Sequence, residues 1–295
     1  MTAVAEPRAE ARERTTSGRV VKFLNKTPIH IALGIIALIW LAPTIGLFVT
    51  SFRPRSDIQV TGWWESFLQF RYTLANYSEV LSGQGMLQAF INTLLIAVPS
   101  TIIPLVLASM AAYAFSWLHF PFRDGLFLLV VALLMIPAQV AFIPLLKLFA
   151  PTGLLNSFGA IWLTHTAFAL PFGIFLLRNF FITLPRDLIE AARIDGSTPI
   201  GIFRTIVVPL SVPAIAAYGI FQFLWVWNDL LMALVFVQNG QSWPMTKAIQ
   251  NLLSQYGTEW HLLAAGAFIL MAVPLLVFFS LQRYFVQGLL AGSVK

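Results

Sequence analysis

The sequence predicts an all-α, polytopic membrane protein with six transmembrane helices, and three observations carry that expectation. Charged residues make up only 10% of the chain, against roughly 25% in an average soluble domain. Hydrophobic residues make up 58%, and the mean hydropathy is +0.81. Six apolar windows of about 20 residues, long enough to cross a ~30 Å hydrocarbon core as helix, are separated by polar connections. The chain has no cysteine, which excludes disulfides and thiolate metal sites. Its pI of about 9.9 comes from Lys and Arg scattered at the ends of apolar runs. That placement follows the positive-inside rule and gives no reason to expect nucleic acid as a partner.

In chain order, residues 1–28 are polar and mixed in charge and are expected to form a mobile cytoplasmic lead. The first span is 29–50. Its apolar run is about 22 residues long with no small-residue cleavage site, so it reads as an uncleaved span rather than a signal peptide. The connection 51–90 is long enough to be expected to pack or bind something, and its TGWWESF stretch suits the headgroup level that Trp prefers. The remaining spans are predicted at 91–115, 125–146, 158–177, 210–236 and 262–281. Prolines 43, 99, 104, 137, 144, 171, 213 and 274 lie inside these runs, where a bundle tolerates them as kinks. An N-terminus on the inside places 13 of the 18 basic residues in the cytoplasm and favours an N-in, C-in topology.

The chain carries no G-x-x-x-x-G-K-[ST], H-E-x-x-H or G-x-S-x-G, and no pair of carboxylates within a span. It therefore has no P-loop to hold ATP and no catalytic constellation. What remains is a component of a transporter or channel. A secondary transporter or channel working without an ATPase would be expected to carry inverted repeats or denser intramembrane charge.

The connection before the fifth span is unusually structured. In LPRDLIEAAR, Pro185 suits the first helical turn and Asp187 and Glu190 sit towards the N-terminal end, where the helix dipole favours acids. Arg193 falls in the last turn and Gly196 follows where a left-handed residue is wanted. Ser197 or Thr198 then caps a second helix opened by Pro199. That helix carries Ile200, Ile202, Phe203, Ile206 and Val207 as an exposed apolar face and is expected to end before Pro209. Helix, Gly turn, helix is the form of a docking element for a cytoplasmic partner.

This stretch resembles the EAA loop of the membrane subunits of ABC importers, whose pattern is E-A-A, three residues, G, nine residues, I, any residue, L-P. Glu190, Ala191, Ala192, Gly196, Ile206 and Pro209 match at spacing, with Val208 in place of Leu. FINTLLIAVPS (90–100), SFRP (51–54), FQFLWVWNDLLMALVF (221–236) and LQRYFVQGLLAGSVK (281–295) look like the carbohydrate-importer branch, in particular maltose-type second permeases. The phrases around spans four to six look most like permeases for α-glucosides, trehalose-like and glucose-type sugars. The resemblance covers everything beyond the first 28 residues. It implies a type I importer permease fold in a bacterial or archaeal cytoplasmic membrane. The partners it implies are a homologous second permease, two ATPase subunits that bind ATP and Mg, and an extracellular or periplasmic sugar-binding protein. It further implies that Glu190, Ala191, Ala192, Arg193, Asp195, Gly196 and Pro209 couple the chain to the ATPase, with no cofactor held by the chain itself.

For a sugar path, polar groups within spans are the candidates, because they avoid lipid. Gln222, Trp225, Asp229 and Met232 are spaced 3, 4 and 3 apart and would share one face of a continuous fifth helix, with Asn228 alongside. Asp229 is the only acid in any predicted span. The competing reading is a hydrogen-bonded seam with the partner permease. Asn92, Gln139 and His165, the last flanked by Thr164 and Thr166, are further candidates, each at least as well read as helix-packing contacts.

Overall fold

The computed structural model describes residues 8–83, 85–256 and 259–291. No strand occurs among them. The chain divides into two compact units, Met1–Thr73 and Leu74–Lys295.

The first unit is built on α1 (Arg8–Ser51), followed by short helical turns at Arg55–Ile58, Trp63–Glu65 and Ser66–Gln69. The polar lead, for which no helix was predicted, is helical from Arg8. Its RAEARER start is made of strong helix formers, so propensity alone favours that outcome. From Pro28 to Ser51 the helix is apolar and exposed almost all round, as a span facing lipid or another subunit would be. The connection after it packs locally. Arg53, 3% exposed, donates to the backbone carbonyls of Asp57 and Thr61. The Thr73 amide closes the loop on Phe52 O at 2.7 Å. Trp63 lies against Gly46 of α1, while Trp64 stays exposed, in keeping with an interfacial segment.

The second unit contains α2 (Ala75–Gly83), α3 (Met86–Trp117), α4 (Arg123–Leu133), α5 (Ala138–Phe149), α6 (Phe158–Phe181), α7 (Arg186–Ile194) and α8 (Pro199–Leu210). These are followed by α9 (Val212–Trp227), α10 (Leu231–Phe236), α11 (Met245–Tyr256) and α12 (Trp260–Ala291). Its centre is the pairing of α3 with α6, against which α9 packs, with α12 on α9. The buried residues of α3 are mostly small: Ala89, Ala97, Ser100, Ala108 and Ala112. Small residues let backbones approach where apolar burial gives no net drive between helices in lipid. Three of the buried hydroxyls are satisfied within their own helices, whereas those of Ser100, Tyr113 and Thr166 find no partner among the described residues. Thr93, Thr101 and Thr164 donate to the carbonyls of Ala89, Ala97 and Ala160 at 2.7–2.8 Å.

Two of the predicted spans are broken. The third, expected as one run over 125–146, is α4 and α5 with a 99° bend between them. Pro137 is the physical reason, since it removes a donor and pushes Ile136 out of the α region. The fifth, expected over 210–236, also fails to run as one helix. α8 and α9 meet at a 79° bend at Ser211, and α9 ends at Trp227, with α10 starting afresh at Leu231. Among the described residues, four helices are long and apolar enough to cross a membrane, or six when each bent pair is taken as one span.

Candidate functional site

The loop between α6 and α8 packs as a knob on the ends of α3 and α6. In α7, Ile189 and Ala192 face inward, leaving Glu190, Ala191, Ile194 and Asp195 exposed. The helix ends as the sequence predicts. Gly196 takes φ +80°, its amide donates to Arg193 O at 3.1 Å, and the Ser197 amide reaches back to Ala192 O at 2.9 Å. These two bonds form a Schellman cap, which an L side chain at Gly196 would strain. Thr198, rather than Ser197, caps the next helix: its Oγ1 accepts from the Gly201 amide at 3.1 Å, with Pro199 in the first turn.

The second helix differs from expectation at two points. It continues through Pro209 to Leu210, because a π turn at Phe203–Val207 absorbs the amide that proline lacks. Its apolar face is mostly turned inward. Ile202 and Val207 are fully buried with Ala108, Ala112, Leu177 and Phe181, and the Phe203 and Tyr113 rings lie 5.3 Å apart. The large apolar side chains of α7 and α8 that stay exposed are Leu188, Ile194, Ile200 and Leu210. Arg193 donates from Nη2 to Trp117 O at 2.6 Å, tying α7 to the last turn of α3.

The path candidates separate into two groups. Gln222 is buried and donates to Ser100 O at 3.0 Å, which makes it part of the α3–α9 seam. Asn92, 2% exposed, donates to the carbonyls of Gln241 and Trp243 and so holds the connection before α11. The single face drawn through Gln222, Trp225, Asp229 and Met232 does not exist, because α9 stops before Asp229. The Asp229 carboxylate accepts from the amides of Met232 at 3.1 Å and Ala233 at 3.3 Å, capping α10. His165 Nε2 lies 3.8 Å from it, and Thr246 Oγ1 donates to Asp229 O at 2.9 Å. Trp225 and Asn228 remain exposed on one side of the break, with Asn228 Nδ2 returned to Leu224 O at 2.8 Å. Gln139 is also exposed, on α5.

Sequence reasoning missed two residues, Lys247 and Tyr218, and the capping role of a third, Asp229. Lys247 is buried and donates to Val237 O, and to Ala233 O at 3.5 Å, so a cation closes the C-terminal end of α10. Burial pushes its ammonium below the usual lysine range. Tyr218, fully buried, donates to Ala169 O at 3.0 Å and lies against Gly173, fixing where α9 crosses α6. For Asp229 as a cap, the signal was present: Asn-Asp directly before LLMALVF is a helix-start pattern. Among the described residues, no group of three His, Asp or Glu is placed to hold a metal ion.

Residues 104–290 match the family described as "Binding-protein-dependent transport system inner membrane component". The chain is 52% identical to an osmoprotective compounds uptake permease, GgtD, of Synechocystis sp., over 97% of this chain and 98% of that one. It is 51% identical to the alpha-glucoside transport system permease AglG of Rhizobium meliloti, over 76% of this chain and 61% of that one. Among solved structures, a bacterial ABC transporter involved in import of the acidic polysaccharide alginate superposes with a TM-score of 0.72. That superposition covers 96% of this chain and 100% of the other, at 23% identity, and so speaks to the fold. On the family match and the near-complete relative, the chain belongs to the binding-protein-dependent transport system inner membrane components.

Proposed function

We propose that this chain is a permease subunit of an ATP-driven sugar importer, with an α-glucoside, trehalose-like or glucose-type sugar as cargo. It would pair with a homologous second permease, two cytoplasmic ATPase subunits holding ATP and Mg, and an extracellular or periplasmic sugar-binding protein. The chain would lie N-in and C-in in a bacterial or archaeal cytoplasmic membrane. The observation that carries this reading is the exposed knob of α7 and α8, capped at both of its turns and fixed to the ends of α3 and α6.

On this reading the knob has two jobs. Its outer surface, Glu190, Ala191, Asp195, Ile194 and Ile200, seats in the ATPase, with Glu190 supplying a charge-assisted bond to a basic residue there. Its inner surface, Ile189, Ile202 and Val207, together with the Arg193–Trp117 bond, passes the movement into α3 and α6. Sugar passes on the side of the α9–α10 break, where the Trp225 indole offers an apolar plane and Asn228 an amide oxygen. Asp229 and His165 support that break from within, and Gln222 holds α9 against α3.

The test is Glu190→Lys and Glu190→Gln in the assembled importer, reading sugar-stimulated ATP hydrolysis and uptake. A lost charge-assisted bond of about 1.5–3 kcal/mol weakens coupling by roughly tenfold or more, with the lysine variant the worse and both proteins folded. Normal uptake in Glu190→Lys would remove Glu190 from the interface.

A further inference from the structure

The end of the second unit away from the knob holds a cavity of about 830 Å³ that neither the knob nor the Trp225 side of the break uses. Gln88 and Asn92 of α3, Phe158 at the start of α6, and Gln241, Ser242 and Trp243 of the connection before α11 line it. Its size lies within the roughly 300–1,000 Å³ of small-ligand sites.

The wall is formed in advance of any ligand. Asn92 Nδ2 donates to Gln241 O at 2.8 Å and Trp243 O at 3.0 Å, while its Oδ1 accepts from Gln88 Nε2 at 3.0 Å. One residue on, Thr93 Oγ1 accepts from the Met245 amide at 2.8 Å. Two adjacent side chains of α3 therefore staple the connection down, which lowers the ordering cost of binding. The Trp243 ring is held by its own bond to Gln238 O at 3.3 Å and by Lys247 Nζ, 5.0 Å from the ring centroid.

Once these bonds are made, the groups left over have one character. Gln88 Oε1, the Gln241 side-chain amide and the Ser242 hydroxyl make no hydrogen bond among the described residues. Amides and hydroxyls match the mixed donors and acceptors of sugar hydroxyls, and the Trp243 and Phe158 rings offer planes for a sugar's C–H face. No ionised side chain lines the cavity. Lys247, whose ammonium stands by the Trp243 ring, is committed to the carbonyls at the end of α10. An anionic sugar would give up hydration there with no counter-charge in return.

We propose that this cavity is a binding site for a neutral oligosaccharide, on which the permease itself receives cargo and discriminates against acidic sugars. The inference rests on the reading that the chain carries sugar. The test uses the assembled importer in lipid nanodiscs without its binding protein. An α-linked glucose disaccharide and a uronic acid disaccharide of similar size are the probes, followed by saturation-transfer NMR and equilibrium dialysis. Saturable binding of the neutral disaccharide is expected, weakened roughly tenfold by Gln88→Ala combined with Gln241→Ala, each removing a side-chain hydrogen-bonding group. Gln241→Lys should shift preference towards the uronic acid, a gain that a misfolded variant cannot give.

The proposal is overturned if the wild-type importer binds no neutral sugar, or if its affinity is indifferent to all three substitutions. It is equally overturned if they spare sugar affinity and abolish stimulation by the binding protein, which would make the cavity a protein contact. ATP-driven uptake with no sugar in the cavity sinks this inference alone. Sugar bound in the cavity without ATP-driven uptake sinks the importer reading alone.

Discussion

Gly173 and Gly196 show how differently two single residues reveal themselves. Gly196 is legible in the sequence, because a glycine after a basic last turn and before Ser-Thr-Pro is a helix-stop signal. Its φ of +80° would cost an alanine about 1–2 kcal/mol. Gly196→Ala should therefore speed hydrogen exchange of the Ser197 amide by roughly tenfold, since about 1.4 kcal/mol is a factor of ten, and unchanged protection would contradict the cap. Gly173 gives no local sign. Its importance comes from Tyr218, 45 positions away in the sequence. A Cβ at Gly173 would stand 2.3 Å from Tyr218 Cζ, on a buried ring already anchored to Ala169 O. Overpacking of this kind costs about 1–3 kcal/mol, so Gly173→Ala should lower the thermal unfolding temperature of the purified protein. A variant as stable as the wild type would mean that α6 and α9 separate freely.

Among the elements, the short helix α10 depends most on charges at its two ends. Asp229 caps its start and Lys247 its finish. Asp229→Asn keeps an oxygen for the Met232 and Ala233 amides and should be tolerated, whereas Asp229→Ala should cost about 0.5–2 kcal/mol. Equal stability of the two variants would mean that the carboxylate is not acting as a cap. Lys247 makes a prediction in pH. Its pKa is lowered by burial, so the folded chain holds this proton less tightly than the unfolded chain. Between the lowered folded value and the ordinary lysine value the unfolded state binds more protons, and stability rises with pH. Lys247→Met should flatten that alkaline rise in the unfolding temperature, and an identical pH profile would show that Lys247 titrates normally. The misread helical face belongs to this scale as well. The spacing of Gln222, Trp225, Asp229 and Met232 is sound arithmetic for one helix, but Asp229 starts another. A hydropathy window that runs on through Asn228 and Asp229 cannot show the difference.

For the whole molecule, the sequence made visible whatever is written in runs and punctuation. Six apolar windows, the polar connections and the two-helix knob were all recoverable from hydropathy, Gly and Pro. The bends were not, because a 99° turn at Pro137 and a gentle kink look alike in composition. The cavity and the Asn92 staple were out of reach too, since they join positions some 150 residues apart. That distance also organises the proposed function. α3 bears the knob at its Trp117 end and the stapled connection at its Asn92 end, so one helix links the two surfaces on which import would depend.

The most direct measurement of that claim is uptake of labelled sugar by proteoliposomes holding the assembled importer, with ATP supplied to the ATPase side. Ile194 and Ile200 are 86% and 62% exposed on the knob and support no internal packing. Ile194→Glu with Ile200→Glu should leave the unfolding temperature unchanged while ATP-dependent uptake falls by at least about tenfold, as expected for two apolar anchors lost from a docking surface. Uptake that persists in that variant, or that needs no ATP in the wild type, would contradict a permease driven through this loop.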